Sequence, residues 1–227
     1  MIFNLKFLMI LAVSAMACFS QKTNSSSNAP ITKEAVATVN DQSLSDNPNV
    51  AIATLAGGCF WKMDACYQQL RGITKVEVGY AGGNLKNPTY EQVSSRKTGH
   101  AETVQVTYDP KIVSFREILE VFWHIHDPRF LNREGNDIGD DYRSAVFYRD
   151  EEQRKMAVIV KDSLDKVKLY DSPIVTAIEP YKNFYRAEEY HQNYYNVHPT
   201  EPYTYNVVRK KVEHFEKEFA TKLKKAK

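Results

Sequence analysis

Cysteine is scarce in this chain: three in 227 residues, with no Cys-x-x-Cys pair and no His-x-x-x-His spacing, which argues against a structural metal site. An excess of one charge is also missing. Thirty Lys and Arg against 28 Asp and Glu leave a formal charge of +2, so bulk electrostatics do not point to nucleic acid as a partner. The apolar run at 7–17 falls short of the roughly 20 residues that span a bilayer. No internal repeat is visible. What the chain does have is 43% hydrophobic residues, enough to bury one full core, so it reads as a single domain with tails.

The first tail reads as an export signal. Lys6 precedes the apolar run, which ends in Ala15-Met16-Ala17-Cys18, a small-x-small cleavage pattern. Residues 1–17 are therefore expected to be a signal peptide. A cysteine directly after the small residues resembles a bacterial lipoprotein signal with Cys18 as the lipidated N-terminus, although Ala15 stands where such signals usually carry leucine. Plain secretion with cleavage after Ala17 is the alternative. Residues 18–48, rich in Ser, Asn and Asp without periodicity, read as a flexible tether. The expected location is outside the cytoplasm, either periplasmic or as a membrane-anchored lipoprotein of a bacterium.

Cys59 is the residue of most chemical interest. It follows an apolar strand-like stretch and two glycines, and it opens a helix-like stretch with Phe60, Met63, Tyr67 and Leu70 on one face. A buried structural cysteine is the bland reading; a nucleophile beside an aromatic pocket is the sharp one. Cys66, the other cysteine of the folded part, lies seven residues along the same helix. A regular helix separates such Cα atoms by about 10 Å, and a disulfide tolerates about 7 Å at most. Cys59 is thus expected to be a free thiol at rest.

From residue 50 onward the periodicities predict strands at 50–55, 75–80, 102–108 and 143–149 and helices at 59–71 and 114–126, with Ser114 and Glu117 as a capping box. The β-α-β-β-α-β order predicts an α+β fold with a ferredoxin-like split βαβ core sheet. A helix at 150–169 and a strand at 174–178 extend it, and 206–227 forms a basic amphipathic helix expected to dock on the domain at 49–205. Two long loops, 81–101 and 127–142, exceed ordinary connection lengths and are expected to carry function.

Those loops complete a recognisable set. Gly57-Gly58-Cys59-Phe60-Trp61, Gly79-Tyr80-Ala81-Gly82-Gly83, Asn87-Pro88-Thr89-Tyr90, Gly99-His100-Ala101-Glu102, Tyr108-Asp109-Pro110, Phe122-Trp123, His126-Asp127-Pro128, Gly135-Asn136-Asp137, Tyr142-Arg143-Ser144 and Glu189-Tyr190-His191-Gln192 occur in that order. With them the chain, from about Val50 to about Pro199, resembles the A-type methionine sulfoxide reductases, the peptide-methionine (S)-S-oxide reductases. The resemblance implies reduction of methionine-(S)-sulfoxide, in proteins and free, as a repair of oxidised proteins. In that chemistry a thiolate attacks the sulfoxide sulfur, the cysteine becomes a sulfenic acid and methionine is released. It implies Cys59 as the nucleophile and Glu102 as the acid that protonates the oxygen. Tyr90 and Tyr142 match hydroxyls that bind this oxygen, Asp137 a residue that orders water and the site, and Phe60 and Trp61 an apolar wall for the S-methyl group. No cofactor and no metal are implied, and the enzyme is expected to act as a monomer.

The departures from the family pattern bear on the second half of the cycle. The tail after Pro199 holds no cysteine, where many relatives carry recycling cysteines, and Ser94 stands where some relatives have one. An external thioredoxin-like dithiol or a small thiol is therefore expected to clear the sulfenic acid, with local unwinding that brings Cys66 to Cys59 as the minor route. Lys62 and Asp64 also depart from the usual residues and are expected on the helix surface, without effect on the chemistry. Three rival classes compete. A cysteine hydrolase would need a histidine beside Cys59, and a metal protein would have to use His124 and His126. An exported structural module would leave the loop motifs unexplained.

Overall fold

The structure, a computed structural model, describes residues 49–225. The expected signal peptide, the tether and Cys18 lie outside the described residues. The chain order is β1 (Ala51–Gly57), α1 (Phe60–Gln68), β2 (Ile73–Ala81), α2 (Tyr90–Ser94), β3 (Ala101–Tyr108), α3 (Phe115–Ile125), β4 (Arg133–Glu134), β5 (Asp137–Ile138), β6 (Ser144–Tyr148), α4 (Glu151–Lys166), β7 (Ala177–Pro180), β8 (Phe184–Arg186), α5 (Tyr194–Val197) and α6 (Arg209–Glu218). The main sheet runs β7-β6-β1-β3-β2-β8, and its four inner strands pair antiparallel. That inner order is the ferredoxin-like one expected from the sequence: the third strand of the split βαβ unit lies between the first and second.

Strand alternation sorts the side chains to two faces. Ala56, Ala81, Ala101, Ala145 and Phe147 cluster on one face, with Tyr181 and Phe184 packed against them. Leu55, Val78, Val104 and Val146 lie on the other and are fully buried, with α1 against β2 and β3 and α3 against β1. Ser114 and Glu117 form the capping box of α3, with Glu117 N–H donating to Ser114 Oγ at 3.2 Å.

Four segments differ from expectation, one of them the helix expected over 206–227, which starts as a π turn at Thr204 and ends at Glu218. The strand placed at 174–178 forms at Ala177–Pro180, parallel to β6. The residues before it are engaged elsewhere: Ile174 N–H donates to Asp165, Val175 N–H to the Pro128 carbonyl, and the Thr176 hydroxyl lies 2.8 Å from that of Ser144. Helix α1 stops at Gln68, because Leu70 bridges to Leu223 at the far end of the chain. Both long loops hold structure of their own: α2, capped by Thr89, lies in the first and the β4–β5 hairpin in the second.

The last helical segment is docked. A π turn at Thr204–Val208 runs directly into α6, and Val208, Val212, Phe215 and Phe219 are buried among α1, α3 and the turn itself.

Candidate active site

Antiparallel pairing brings the C-terminal end of β1, the start of β3, the end of β2 and the start of β6 to one edge of the sheet, through Leu55↔Val104, Ala81↔Ala101 and Gly57↔Ser144. Cys59 is the N-cap of α1 at this edge, and Gly57 and Gly58 deliver it there. A Cβ at Gly57 would press on Phe122, His126 and Met63 at 3.1–3.2 Å. Gly58 has φ +76°, and a Cβ there would collide with Glu134. The two glycines are thus required by close approach and by backbone conformation respectively.

Glu102 is the second residue of β3, and alternation puts it on the same face as Val104 and Val106, beneath the start of α1. There it accepts the Phe60 N–H at 2.9 Å, and it is 3% exposed. Burial pushes its carboxyl up to about 8 against the pull of that N–H, helped by the nearby charges of Asp141 and Asp137. Glu102 therefore carries its proton at neutral pH. Burial, and then Glu102, push the Cys59 thiol up to about 12, outweighing the Trp61 N–H, the Tyr203 hydroxyl and Lys62. The helix N-terminus accordingly does not hold Cys59 as a thiolate in the empty site.

A cleft of about 220 Å³ gathers Cys59, Phe60, Trp61, Tyr90, Glu102, Asp137, Tyr142 and Tyr203. All seven residues singled out in the sequence meet there. Tyr90 is the first residue of α2, and its own N–H donates to Glu188 at 2.9 Å; the same carboxylate accepts the Tyr80 hydroxyl at 2.8 Å. Tyr142 ends a 3-10 turn at Asp140–Tyr142, and Asp137 opens β5. Burial raises Tyr90 and Tyr142 above the usual phenol range, as does the charge of Glu102, so each remains a neutral hydroxyl donor. The aromatic wall is braced from behind. Trp61 stacks on Tyr194 at 3.7 Å and 7°, and its Nε1 donates to His191 Nδ1 at 3.2 Å.

Sequence reasoning missed Tyr203 and misplaced Lys62 and Asp64. Tyr203 lies past the last motif, in a short stretch with no periodicity of its own, and donates to Asp137 Oδ2 at 2.6 Å. Lys62 and Asp64 are each 2% exposed, not on the surface. Asp64 accepts from Gln68 Nε2 at 2.6 Å and from the Asn193 N–H at 3.1 Å, tying α1 to the segment that carries His191 and Tyr194. Lys62 donates to Glu134 Oε1 at 2.9 Å and to the Gly57 carbonyl at 3.1 Å, and Lys211 of α6 joins the same Glu134 oxygen. Helical spacing alone could not reveal this, because α6 and the β4–β5 hairpin cover the side of α1 that the sequence left open.

His124 and His126, the pair a metal site would have used, are engaged separately. His126 is buried between the Phe122 carbonyl at 2.6 Å and Ser144 Oγ at 2.8 Å, and burial pushes it down to about 4. His124 contacts the Glu120 carbonyl and Glu218. Cys59 and Cys66 are both free thiols, with an intact helix between them.

Residues 51–223 match the family model described as peptide methionine sulfoxide reductase. The peptide methionine sulfoxide reductase MsrA of Saccharolobus solfataricus is 47% identical over 173 residues, covering 76% of this chain and 97% of that protein. Its counterpart in Leptospira borgpetersenii serovar Hardjo-bovis is 49% identical over 164 residues, covering 72% and 92%. Among solved structures, reduced Mxr1 from Saccharomyces cerevisiae superposes with a TM-score of 0.65 at 36% identity, over 68% of this chain and 89% of that one. Methionine sulfoxide reductase A of Corynebacterium diphtheriae gives 0.61 at 31%, over 69% and 78%. A fold, a cleft and a sequence that agree in this way leave one assignment: the chain belongs to the peptide methionine sulfoxide reductases and reduces methionine-(S)-sulfoxide to methionine.

Proposed function

We propose that Cys59 is the nucleophile and Glu102 the acid of this reduction. The observation that carries the assignment is a buried Glu102 in one small cleft with the thiol, where burial pushes its carboxyl up to about 8. A sulfoxide oxygen is a poor leaving group until it takes a proton, and a carboxylic acid that keeps its proton to about pH 8 can supply one. Tyr90 and Tyr142 donate hydrogen bonds to the same oxygen, and Phe60 and Trp61 receive the S-methyl group, which gives up water there while the oxygen keeps its donors. The S–S bond forms as the S=O bond becomes S–OH. The hydroxyl leaves as water once it takes a second proton, and water returning to the Cys59 sulfur yields the sulfenic acid and free methionine.

The sulfenic acid is then reduced by an external thiol, with a thioredoxin-like dithiol as the partner. The tail lacks a cysteine, and Cys66 sits on the intact helix α1, fully buried. Mass spectrometry after one turnover without reductant is expected to show a sulfenic acid on Cys59 and a free Cys66; a Cys59–Cys66 crosslink would overturn this. The enzyme acts as a monomer on oxidised proteins and on the free amino acid. The apolar run at 7–17 and the small-x-small pattern before Cys18 support a location outside the cytoplasm, with a tether through lipid on Cys18. Palmitate labelling lost in Cys18→Ser is the expected result, whereas a labelled variant or an unlabelled parent would count against the anchor.

A further inference from the structure

The thiol proton needs somewhere to go. Cys59 is held as a thiol, and Glu102 cannot accept its proton while giving one to the substrate oxygen. One other carboxylate reaches the sulfur through a single intervening group. The Tyr203 hydroxyl donates to Asp137 Oδ2 at 2.6 Å and lies within hydrogen-bonding reach of the Cys59 sulfur. Its ring stands edge-on to Trp61 at 6.0 Å and 69°, and its backbone enters the π turn that anchors Val208 and α6. The hydroxyl is therefore positioned from behind and does not depend on substrate to be in place. Burial, Cys59 and Asp137 all push it well above the usual phenol range, so it keeps a proton and serves as a conduit, not as a base.

We propose that Tyr203 is a further catalytic residue that passes the Cys59 proton to the Asp137 carboxylate as the sulfur attacks. This rests on the assignment of Cys59 as nucleophile and Glu102 as acid. The step balances. The S–H bond of Cys59 breaks and its proton goes to the Tyr203 oxygen, while the Tyr203 proton goes to Asp137. The sulfur pair forms the S–S bond, and the S=O pair takes the Glu102 proton. The products are a hydroxylated sulfur adduct, a Glu102 carboxylate and a protonated Asp137, with total charge unchanged. Two carboxyl groups thus divide the work, one giving a proton at the oxygen side and one taking a proton at the sulfur side. The groups that face Cys59 and share its titration are Glu102 from β3, Lys62 from α1, Tyr90 from α2, Tyr142 before β6, Tyr194 from α5 and Tyr203.

The test is the single-turnover burst of methionine, without reductant, from wild type, Tyr203→Phe, Asp137→Asn and the double variant. Tyr203→Phe keeps the ring against Trp61 and removes only the conduit. Each single variant is expected to slow the burst about 10²-fold, the scale of a lost proton-transfer group. The double variant is expected to be no slower than either single one, as for residues acting as a unit. As pH rises toward 8 the variants should speed up about tenfold per pH unit, the behaviour of a thiol that loses its proton to solvent, while wild type stays flat. A Tyr203→Phe burst at the wild-type rate with the wild-type pH profile overturns the relay, as do losses that multiply in the double variant. Should either single variant unfold, the other carries the same expectation. Absence of any burst in wild type overturns the Cys59 assignment beneath it as well.

Discussion

A carboxyl group 3% exposed and a thiol 7% exposed, side by side, disfavour negative charge on both. At rest the cleft therefore holds a neutral acid and a neutral thiol, and ionisation waits for a substrate whose sulfur accepts the electron pair and whose oxygen accepts the proton. The acid form of Glu102 is the active one, so its contribution is present below about pH 8 and is lost as pH rises through that value. The wild-type burst rate should decline along that limb, and Glu102→Gln should slow the burst about 10²–10⁴-fold and remove the limb. An unchanged burst in Glu102→Gln would assign the proton to another donor. At this scale the sequence was most legible where chemistry sits in a local motif: Cys59, Tyr90, Glu102, Asp137 and Tyr142 all do. Tyr203 was not legible, because what makes it chemical is a 2.6 Å contact with Asp137, 66 residues away in sequence.

At the scale of elements, Glu134 is the junction that positions the nucleophile's helix. It accepts Lys62 of α1, Lys211 of α6 and the Asp127 N–H, and it lies under Gly58. Burial alone would raise its carboxyl, but Lys62, Lys211 and His126 outweigh that and hold it down at about 2. Its stabilising contribution is therefore full above the ordinary carboxylate range and is lost progressively as pH falls from there through about 2. Removing the anion leaves Lys62 buried without its counter-ion, which costs about 3–5 kcal/mol where a buried pair is broken. Glu134→Gln should lower the unfolding free energy read from urea titration by that amount, and a loss near zero would mean that Lys62 finds water or sheds its proton. The inner strands β1, β3 and β6 are buried on both faces and were marked by apolar content, whereas the periodicities placed the major helices because each turns one apolar face to the sheet. They misjudged Lys62 for the same reason: period 3.6 reports the face toward the sheet, and the second cover over α1 comes from α6 and a two-residue-stranded hairpin with no periodic signal.

On the scale of the whole molecule, the terminal helical segment is part of the folding unit, not an appendage to it. The amphipathic pattern from Val208 to Phe219 shows an apolar face but not what that face covers. In the structure it closes the back of α1 and α3, holds Lys211 at Glu134 and fixes the backbone from which Tyr203 reaches the cleft. Val208, Val212 and Phe215 are 1% exposed and Phe219 is 8% exposed. At about 1.5–3 kcal/mol for each buried apolar side chain, the segment contributes on the order of 10 kcal/mol before the entropy of ordering it. A domain's entire net stability is about 5–15 kcal/mol. Removing the helix should therefore be felt as loss of the fold, with loss of turnover as its consequence. A chain ending at Tyr205 is expected to show no cooperative urea transition by near-ultraviolet circular dichroism, whereas the full chain shows one. If the shortened chain instead unfolds cooperatively with the parent's midpoint, the helix rests on a domain that is complete without it, and Lys211 and the anchoring of Tyr203 lose their part in the site.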